Sequence, residues 1–237
     1  MSLGQFVADL SWTDLEACIQ SGHSAILPIG AQSKEHGKHL PLSTDAIQVE
    51  WVCRQLVCDY SVLIWPTIAY GYYPAFTDFP GHSSLSQQTF KLQLEEVCQS
   101  ILHNGHSCCF LLNSGISTIA TVDQLASSTK NIKAIHIYSG KRFQQAVKDC
   151  STQHGGGHAD EVETSIMLHI APDKVRQELS VNESSTVFRP GPLNRHNADA
   201  DNYTASGAMG NPTLATALKG QLLVAAMLED VREQLAS

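Results

Sequence analysis

Residues 25–45, AILPIGAQSKEHGKHLPLSTD, start with a short apolar run and continue as a loop rich in histidine and acidic residues. The apolar run, residues 25–29, is typical of a buried β-strand. In α/β proteins, ligands bind at loops that leave the carboxyl ends of such strands. Imidazole nitrogens and carboxylate oxygens are ligands that zinc and manganese take from proteins. Glu35, His36, His39 and Asp45 therefore predict a metal-binding loop, with a solvated surface loop as the alternative.

A second segment, residues 155–168, has the sequence GGGHADEVETSIML. Its three glycines free the backbone just before a predicted helix whose first residues are acidic. The segment adds an imidazole, that of His158, and further carboxylates to the donors of the first loop. This second cluster favours a functional site over a solvated loop.

Strands and helices alternate along the chain, which predicts a three-layer α/β/α domain with a mostly parallel central sheet. The predicted strands cover residues 25–29, 62–65, 108–112 and 134–138. The predicted helices cover residues 12–20, 44–58, 87–102, 119–127, a stretch from about 141, 160–170 and 212–235. No internal repeat or low-complexity linker is visible, so we expect one domain over residues 1–237. A long loop over residues 187–210 is expected to border an active site.

Composition argues against several kinds of partner. The formal net charge is -8 and no basic block is present, which excludes nucleic acid as the expected partner. No apolar run approaches the about 20 residues of a membrane span, and the N-terminus lacks a secretory pattern. We therefore expect a cytoplasmic protein. The seven cysteines form no Cys-x-x-Cys pair and are interpreted as small buried residues.

Together the two segments resemble the creatininase (creatinine amidohydrolase) family. Its first signature has the form Glu-any-His-Gly-any-His-Leu-Pro-Leu followed by Thr-Asp, and its late signature runs His-Ala-Gly-Glu-any-Glu-Thr-Ser. Residues 79–85 resemble its Phe-Pro-Gly-Thr segment, and residues 210–220 resemble its C-terminal signature. The resemblance spans residues 12–225 and implies a creatininase-like fold. It also implies a closed homo-oligomer, with a hexamer typical of the family.

The resemblance implies a metal centre. In the family, the Glu and His of the first signature, the Asp that ends it, a His in a central Asn-Gly-His motif and a further Glu hold two metal ions around a bridging water. His36 and Asp45 match directly, whereas Lys34 stands at the position of the Glu. The loop carries one extra residue after Gly30, so a bulge would bring the neighbouring Glu35 to that place.

Two further departures affect this centre. Gly115 stands where the family has the His of its central motif, and Phe76 replaces another family histidine. We therefore expect one firmly bound divalent ion rather than two, zinc first and manganese second. Glu161 matches the acidic position of the late signature and is the predicted additional ligand.

The remaining roles follow from the same comparison. The family histidine that matches His158 lies beside the substrate, so His158 is predicted to pass a proton to the departing nitrogen. Tyr72, His82 and Ser117 are predicted to contact the substrate. Glu163 is expected to have a structural role, because it lies two residues from Glu161 and so on another side of the helix.

Three function classes follow. The first is a metal-dependent hydrolase of a non-peptide C–N bond in a small cyclic amide or amidine, creatinine being the type substrate of the family. The second is a hydrolase of the same fold that acts on a formamide or a modified peptide. The third is a binding or assembly protein whose catalytic site has decayed. Because several pocket positions differ from the family, activity on creatinine itself is expected to be weak or absent.

Overall fold

The computed structural model describes residues 3–184 and 188–236 and has a five-stranded sheet at its centre. The strands are β1 (Gln5–Phe6), β2 (Ser24–Ile29), β3 (Val62–Ile64), β4 (Cys109–Asn113) and β5 (Ile132–His136). They lie in the order β1-β3-β2-β4-β5, and every pairing among them is parallel. Parallel pairing brings the carboxyl ends of all the strands to the same edge of the sheet. The two-residue strand β1 is too short to give a sequence signal.

Helices cover both faces of this sheet, which confirms the predicted three-layer arrangement. The helices are α1 (Trp12–Gln20), α2 (Thr44–Asp59), α3 (Gln87–His103), α4 (Ile119–Ser128), α5 (Lys141–Cys150), α6 (Glu161–Ile170) and α7 (Ala217–Leu235). One apolar core lies between the sheet and helices α2, α5, α6 and α7. A second core lies on the other face, under helices α3 and α4. No helix within residues 3–184 and 188–236 is long and apolar enough to span a membrane.

Most predicted boundaries agree with the structure to within one or two residues. Strand β5 begins two residues earlier than predicted, because Asn131 makes the preceding turn with a φ of 71° and Ile132 is already buried. Helix α7 begins later than predicted, since residues 212–214 form a short 3-10 helix and Thr216 then caps α7 by accepting the Lys219 N–H. Of the predicted loop over residues 187–210, Val187 lies outside the described residues. The single domain stays a prediction.

The carboxyl edge of the sheet gathers the segments that the sequence singled out. The loop after β2 carries residues 34–39, and helix α2 starts directly after it. Ser114, just after β4, donates its hydroxyl to the main-chain oxygens of Ile29 and Asp45, at 3.1 and 3.0 Å. The ends of two central strands and the first turn of α2 are therefore tied together at one point.

Helix α6 is held in place by close contact with α7. Gly220 of α7 lies so near α6 that a β-carbon there would stand 1.9 Å from the main-chain oxygen of Ser165. Only glycine permits this approach. Because α6 begins with the acidic residues of the second segment, its distance from α7 fixes where those side chains lie.

We predict that Gly220→Ala lowers the free energy of unfolding by about 1–3 kcal/mol, because the added methyl group must push the two helices apart. Chemical denaturation measures the change. Gln221→Ala, at the adjacent exposed position of the same helix, is the matched control and should change stability little. Equal stability of the Gly220→Ala variant and the parent would contradict the close packing described here.

Candidate metal centre

His36 is fully buried in the loop after β2 and has an oxygen partner at each ring nitrogen. Its Nδ1 lies 2.9 Å from the main-chain oxygen of Lys34, and its Nε2 lies 3.0 Å from Asp45 Oδ1. A carbonyl oxygen can only accept, so Nδ1 donates the hydrogen of that bond. This leaves Nε2 as the nitrogen that faces the acidic cluster.

His158 has a similar arrangement. Its Nε2 donates to Glu35 Oε2 at 3.0 Å, and its Nδ1 lies 3.9 Å from Glu163 Oε2. The main chain of His158 is fixed by the Met209 N–H, which donates to the His158 carbonyl at 2.8 Å. A carboxylate behind one nitrogen of a histidine sets the tautomer and leaves the other nitrogen available to a metal ion.

Glu163 lies between the two imidazoles. Its Oε1 is 3.7 Å from His36 Nε2, and its Oε2 accepts the Ala159 N–H at 2.7 Å. The start of helix α6 explains this direction, since Asp160 caps the helix and accepts the N–H groups of Val162 and Glu163. A Glu three residues after the capping residue reaches back past the helix start. The pair Asp160 and Glu163 carried this signal in the sequence, and our sequence reasoning missed it.

The donor atoms of His36, His158 and Glu163 lie within 4.8 Å of one another. A tetrahedral zinc ion with bonds of about 2.0–2.1 Å has ligand atoms roughly 3.3 Å apart. The distances from the Glu163 oxygens to the two imidazoles, 3.7 and 3.9 Å, are close to that spacing. Two imidazoles and one carboxylate also form a ligand set that catalytic zinc sites use. The residues present therefore fit one divalent ion.

Asp45 and Lys34 form a buried ion pair beside this cluster. Lys34 Nζ lies 2.7 Å from Asp45 Oδ2, and the two side chains are 6% and 1% exposed. Burial raises the pKa of the Asp45 carboxyl, but Lys34 and His36 outweigh burial and hold that pKa well below its usual range. The Asp45 carboxylate is therefore charged, with one oxygen on the ammonium and the other on the imidazole.

Charges within the cluster also shift its other groups. Burial lowers the pKa of His158, yet the Glu35 carboxylate outweighs burial and the net shift is upward. Burial raises the pKa of Glu163, but His36 and His158 outweigh it and the net shift is downward. His39, in contrast, has its pKa lowered to about 4 by burial, and its Nε2 lies 2.8 Å from Thr164 Oγ1. His39 therefore ties the first loop to helix α6 as a neutral side chain.

Glu161, which we predicted to be a ligand, lies away from the cluster. Its carboxylate accepts the N–H groups of Thr152 and Gln153 at 2.8 and 2.7 Å and pairs with the Lys219 ammonium. Glu161 is the first residue of helix α6, where a side chain points to a different side from that of Glu163. Glu163, which we expected to be structural, lies in the cluster instead.

Only some of the other predicted site residues lie near the cluster of His36, His158 and Glu163. Glu35 lies behind His158, and its second oxygen accepts the Gly37 N–H, so both carboxylate oxygens have partners. Ser117 lines the cavity beside the cluster. Tyr72 packs against the core under α3 and α4 instead. His82 contacts the rings of Tyr73 and Phe76, with centroids 6.4 and 5.8 Å away.

A cavity of about 470 Å³ opens onto the cluster. Its polar end includes Lys34, Asp45, His158 and Glu163. Its apolar walls are formed by six side chains, those of Phe76, Ile116, Phe143, Val147, Val162 and Met209. The Phe76 ring lies 4.3 Å from the His158 ring, so the apolar wall reaches the cluster directly. The cavity can hold an organic molecule whose polar group meets the imidazoles and carboxylates.

Fold and site together define a member of a known hydrolase family. The chain belongs to the creatininase family, because the family model described as creatinine amidohydrolase matches residues 8–235. The mycofactocin precursor peptide peptidase of Mycobacterium ulcerans is 27% identical over 223 residues, which are 90% of this chain and 84% of that protein. The creatinine amidohydrolase of Pseudomonas putida is 23% identical over an alignment of 258 positions, which covers 98% of this chain and 96% of that protein.

A solved structure described as "Creatininase Mn" shares the fold. It superimposes with a TM-score of 0.75 at 20% sequence identity and covers 98% of this chain and 97% of the other. The predicted creatininase-like fold is therefore confirmed.

We predict that Glu161→Ala destabilises the protein by about 3 kcal/mol, because two main-chain N–H groups and a lysine lose a buried partner. Burial raises the pKa of Glu161, but Lys219 and the N–H groups outweigh it, so the net shift is downward. A lowered pKa stabilises the folded state above the unfolded pKa, and this contribution is lost as the pH falls through the folded pKa. The difference in the free energy of unfolding between Glu161→Ala and the parent should therefore become smaller at acid pH.

Urea denaturation at several pH values measures this difference. Glu96→Ala, at an exposed position of helix α3, is the control and should change stability by less than about 0.5 kcal/mol. A Glu161→Ala variant as stable as the parent at neutral pH would show that Glu161 does not stabilise the segment that contains Thr152 and Gln153.

Proposed function

We propose that this protein is a metal-dependent hydrolase of an amide C–N bond, with one divalent ion held by His36, His158 and Glu163. The observation that carries this proposal is the matched arrangement of the two imidazoles. Each has one nitrogen fixed by an oxygen behind it, and the other nitrogen lies within 4 Å of the same Glu163 carboxylate. Asp45 Oδ1, 3.0 Å from His36 Nε2, is a further donor at the edge of this set.

A divalent ion in such a site lowers the pKa of a bound water to about 7 and polarises a carbonyl group. The side chains of this protein supply the rest. Lys34 O and Glu35 hold the two imidazoles in fixed orientations, and the Ala159 N–H holds Glu163. Apolar side chains line part of the cavity, and surroundings of low polarity strengthen electrostatic interactions with the nearby charged groups.

Support for zinc or manganese comes from the donors and from the family. Two imidazoles and one carboxylate are a ligand set that binds zinc, and a site rich in carboxylate oxygens also binds manganese. The structure described as "Creatininase Mn" names manganese for that protein. We propose zinc first and manganese second for this chain.

For the substrate, two classes of amide are candidates. A small cyclic amide or amidine follows from the family, whose Pseudomonas putida member is named for creatinine. The apolar walls of the cavity favour an amide with apolar substituents, such as a modified peptide, over the small polar creatinine. The name of the Mycobacterium ulcerans relative, a precursor peptide peptidase, agrees with that second class. We therefore propose an apolar amide, such as a modified peptide, as the substrate and a small cyclic amide or amidine as the remaining candidate.

Association with further copies of the chain is also proposed. Leu218 and Leu222 lie one helical turn apart on α7 and are 68% and 53% exposed. Light scattering at micromolar concentration tests the hexamer that the resemblance implies.

We predict that His36→Ala and Glu163→Gln each weaken binding of zinc or manganese at least 100-fold, because each removes a ligand from a site with few donors. Isothermal titration of metal-depleted protein measures the affinity. Glu161→Gln is the matched control, since it changes a carboxylate on the same helix that lies outside the cluster, and it should bind the ion as the parent does. If Glu163→Gln binds zinc or manganese as tightly as the parent, Glu163 is not a metal ligand.

The same titration decides between two roles for His158. Loss of the ion in His158→Ala identifies this side chain as a ligand. An ion that stays bound in His158→Ala while turnover disappears identifies it as the group that passes a proton to the departing nitrogen.

We predict that creatinine is a poor substrate and that amides with apolar substituents are turned over, because the exposed surface of the cavity is mostly apolar. Steady-state assays should compare creatinine, other cyclic amides, formamides and short modified peptides with apolar side chains. Creatinine turnover within about 1 to 1,000 per second would contradict the altered substrate. Metal binding without turnover of any compound would favour a binding protein with a decayed catalytic site.

A further inference from the structure

We propose that Lys34 is a permanent cation of the metal centre and limits this centre to one divalent ion. The Lys34 ammonium pairs with Asp45 Oδ2, so this oxygen is not available to a metal ion. The inference rests on the proposed function for the first ion, and it adds a role for a side chain that has none in the mechanism above.

The Asp45 carboxylate has two different cation-binding sides. Its Oδ1 faces His36 Nε2 at 3.0 Å, on the side of the proposed ion. Its Oδ2 pairs with Lys34 Nζ at 2.7 Å. Both side chains are at least nine-tenths buried, so water competes weakly for this pair. The Asp45 carboxylate can therefore bind one metal ion through Oδ1, while its Oδ2 is already paired with the ammonium of Lys34, which is part of the chain.

The surroundings of the ammonium suit an organic cation and not a divalent metal ion. Lys34 Nζ lies 5.3 Å from the centroid of the Phe76 ring and 5.8 Å from that of Tyr73. Aromatic faces attract an ammonium, but they offer no lone pair to zinc or manganese. The oxygen that pairs with Nζ is Asp45 Oδ2, at 2.7 Å.

The charges of the cluster also fit one ion. Three carboxylates, those of Glu35, Asp45 and Glu163, lie within 4 Å of the two imidazoles. With neutral imidazoles, the ammonium and one divalent ion together balance these three negative charges. A second divalent ion would leave a buried excess of positive charge, which a protein interior stabilises poorly. The Lys34 charge thus takes the place of a second ion.

The test is metal stoichiometry, measured by titrating metal-depleted protein with manganese and confirmed by elemental analysis. Lys34→Glu replaces the ammonium with a carboxylate beside Asp45 Oδ2, so two adjacent negative charges then require a cation. We expect one ion per chain for the parent and one additional ion for Lys34→Glu. Lys34→Arg keeps the positive charge and should bind the same number of ions as the parent.

The outcomes separate this inference from the proposed function. One ion in the parent and two in Lys34→Glu support both. No ion in the parent and one in Lys34→Glu support the role of Lys34 and remove the metal-dependent mechanism. One ion in both proteins overturns the role of Lys34 and leaves the mechanism intact. Two ions in the parent overturn the role of Lys34, and no ion in either protein overturns both proposals.

Lys34→Met serves as a second variant, because the two carboxylates of Lys34→Glu could prevent folding without metal. It removes the ammonium with little change of shape. Removing a positive charge close to the first ion should tighten manganese binding about tenfold or more. A Lys34→Met variant that is folded by circular dichroism and binds manganese no more tightly than the parent would overturn the proposal.

Discussion

The junction at Asp45 is the constraint on which the rest of the site depends. This residue lies in the first turn of helix α2, and a β-carbon added at Gly30 would stand only 2.8 Å from its main-chain oxygen. The Ala46 N–H donates to the Ala31 carbonyl, and Ser114 donates to the Asp45 carbonyl. The ends of strands β2 and β4 and the start of α2 therefore meet at the main chain of Asp45. The two carboxylate oxygens of Asp45 then contact His36 and Lys34.

Much of the fold could be predicted because its signals are local. Apolar runs and capping residues within ten to twenty positions mark the strands and helices, and their alternation implies a parallel sheet. The position of His36 and Asp45 next to a strand end likewise places them at the carboxyl edge. The predicted starts of strand β5 and helix α7 were wrong because a turn precedes β5 and a 3-10 helix precedes α7. Such details depend on single backbone angles that periodicity does not encode.

Less of the site could be predicted, because it depends on contacts between distant segments. Glu35 and His158 are separated by 123 residues, and no local pattern shows that they pair. Glu163 and not the predicted Glu161 lies beside the two imidazoles, since matching a family motif fixed the residue type and not the side of the helix. The capping relation between Asp160 and Glu163 would have resolved this locally. Tyr72, which was predicted to contact the substrate, packs against the core under α3 and α4, because no local signal separates an aromatic side chain in a core from one near a ligand.

The family assignment and the site carry different information about function. Membership fixes the fold and the general position of the donors, while the substrate depends on a few side chains around the cavity. Phe76 and Ile116 contribute apolar surface to the cavity, and Lys34 places a positive charge beside the metal cluster. Lys34 and Phe76 stand where the family has a glutamate and a histidine, so each replaces a side chain that can bind a metal ion. The cluster itself is preformed by protein hydrogen bonds at His36, His158 and Glu163. An ion would therefore enter a site whose geometry is set by the protein, and the cavity walls would then select the amide.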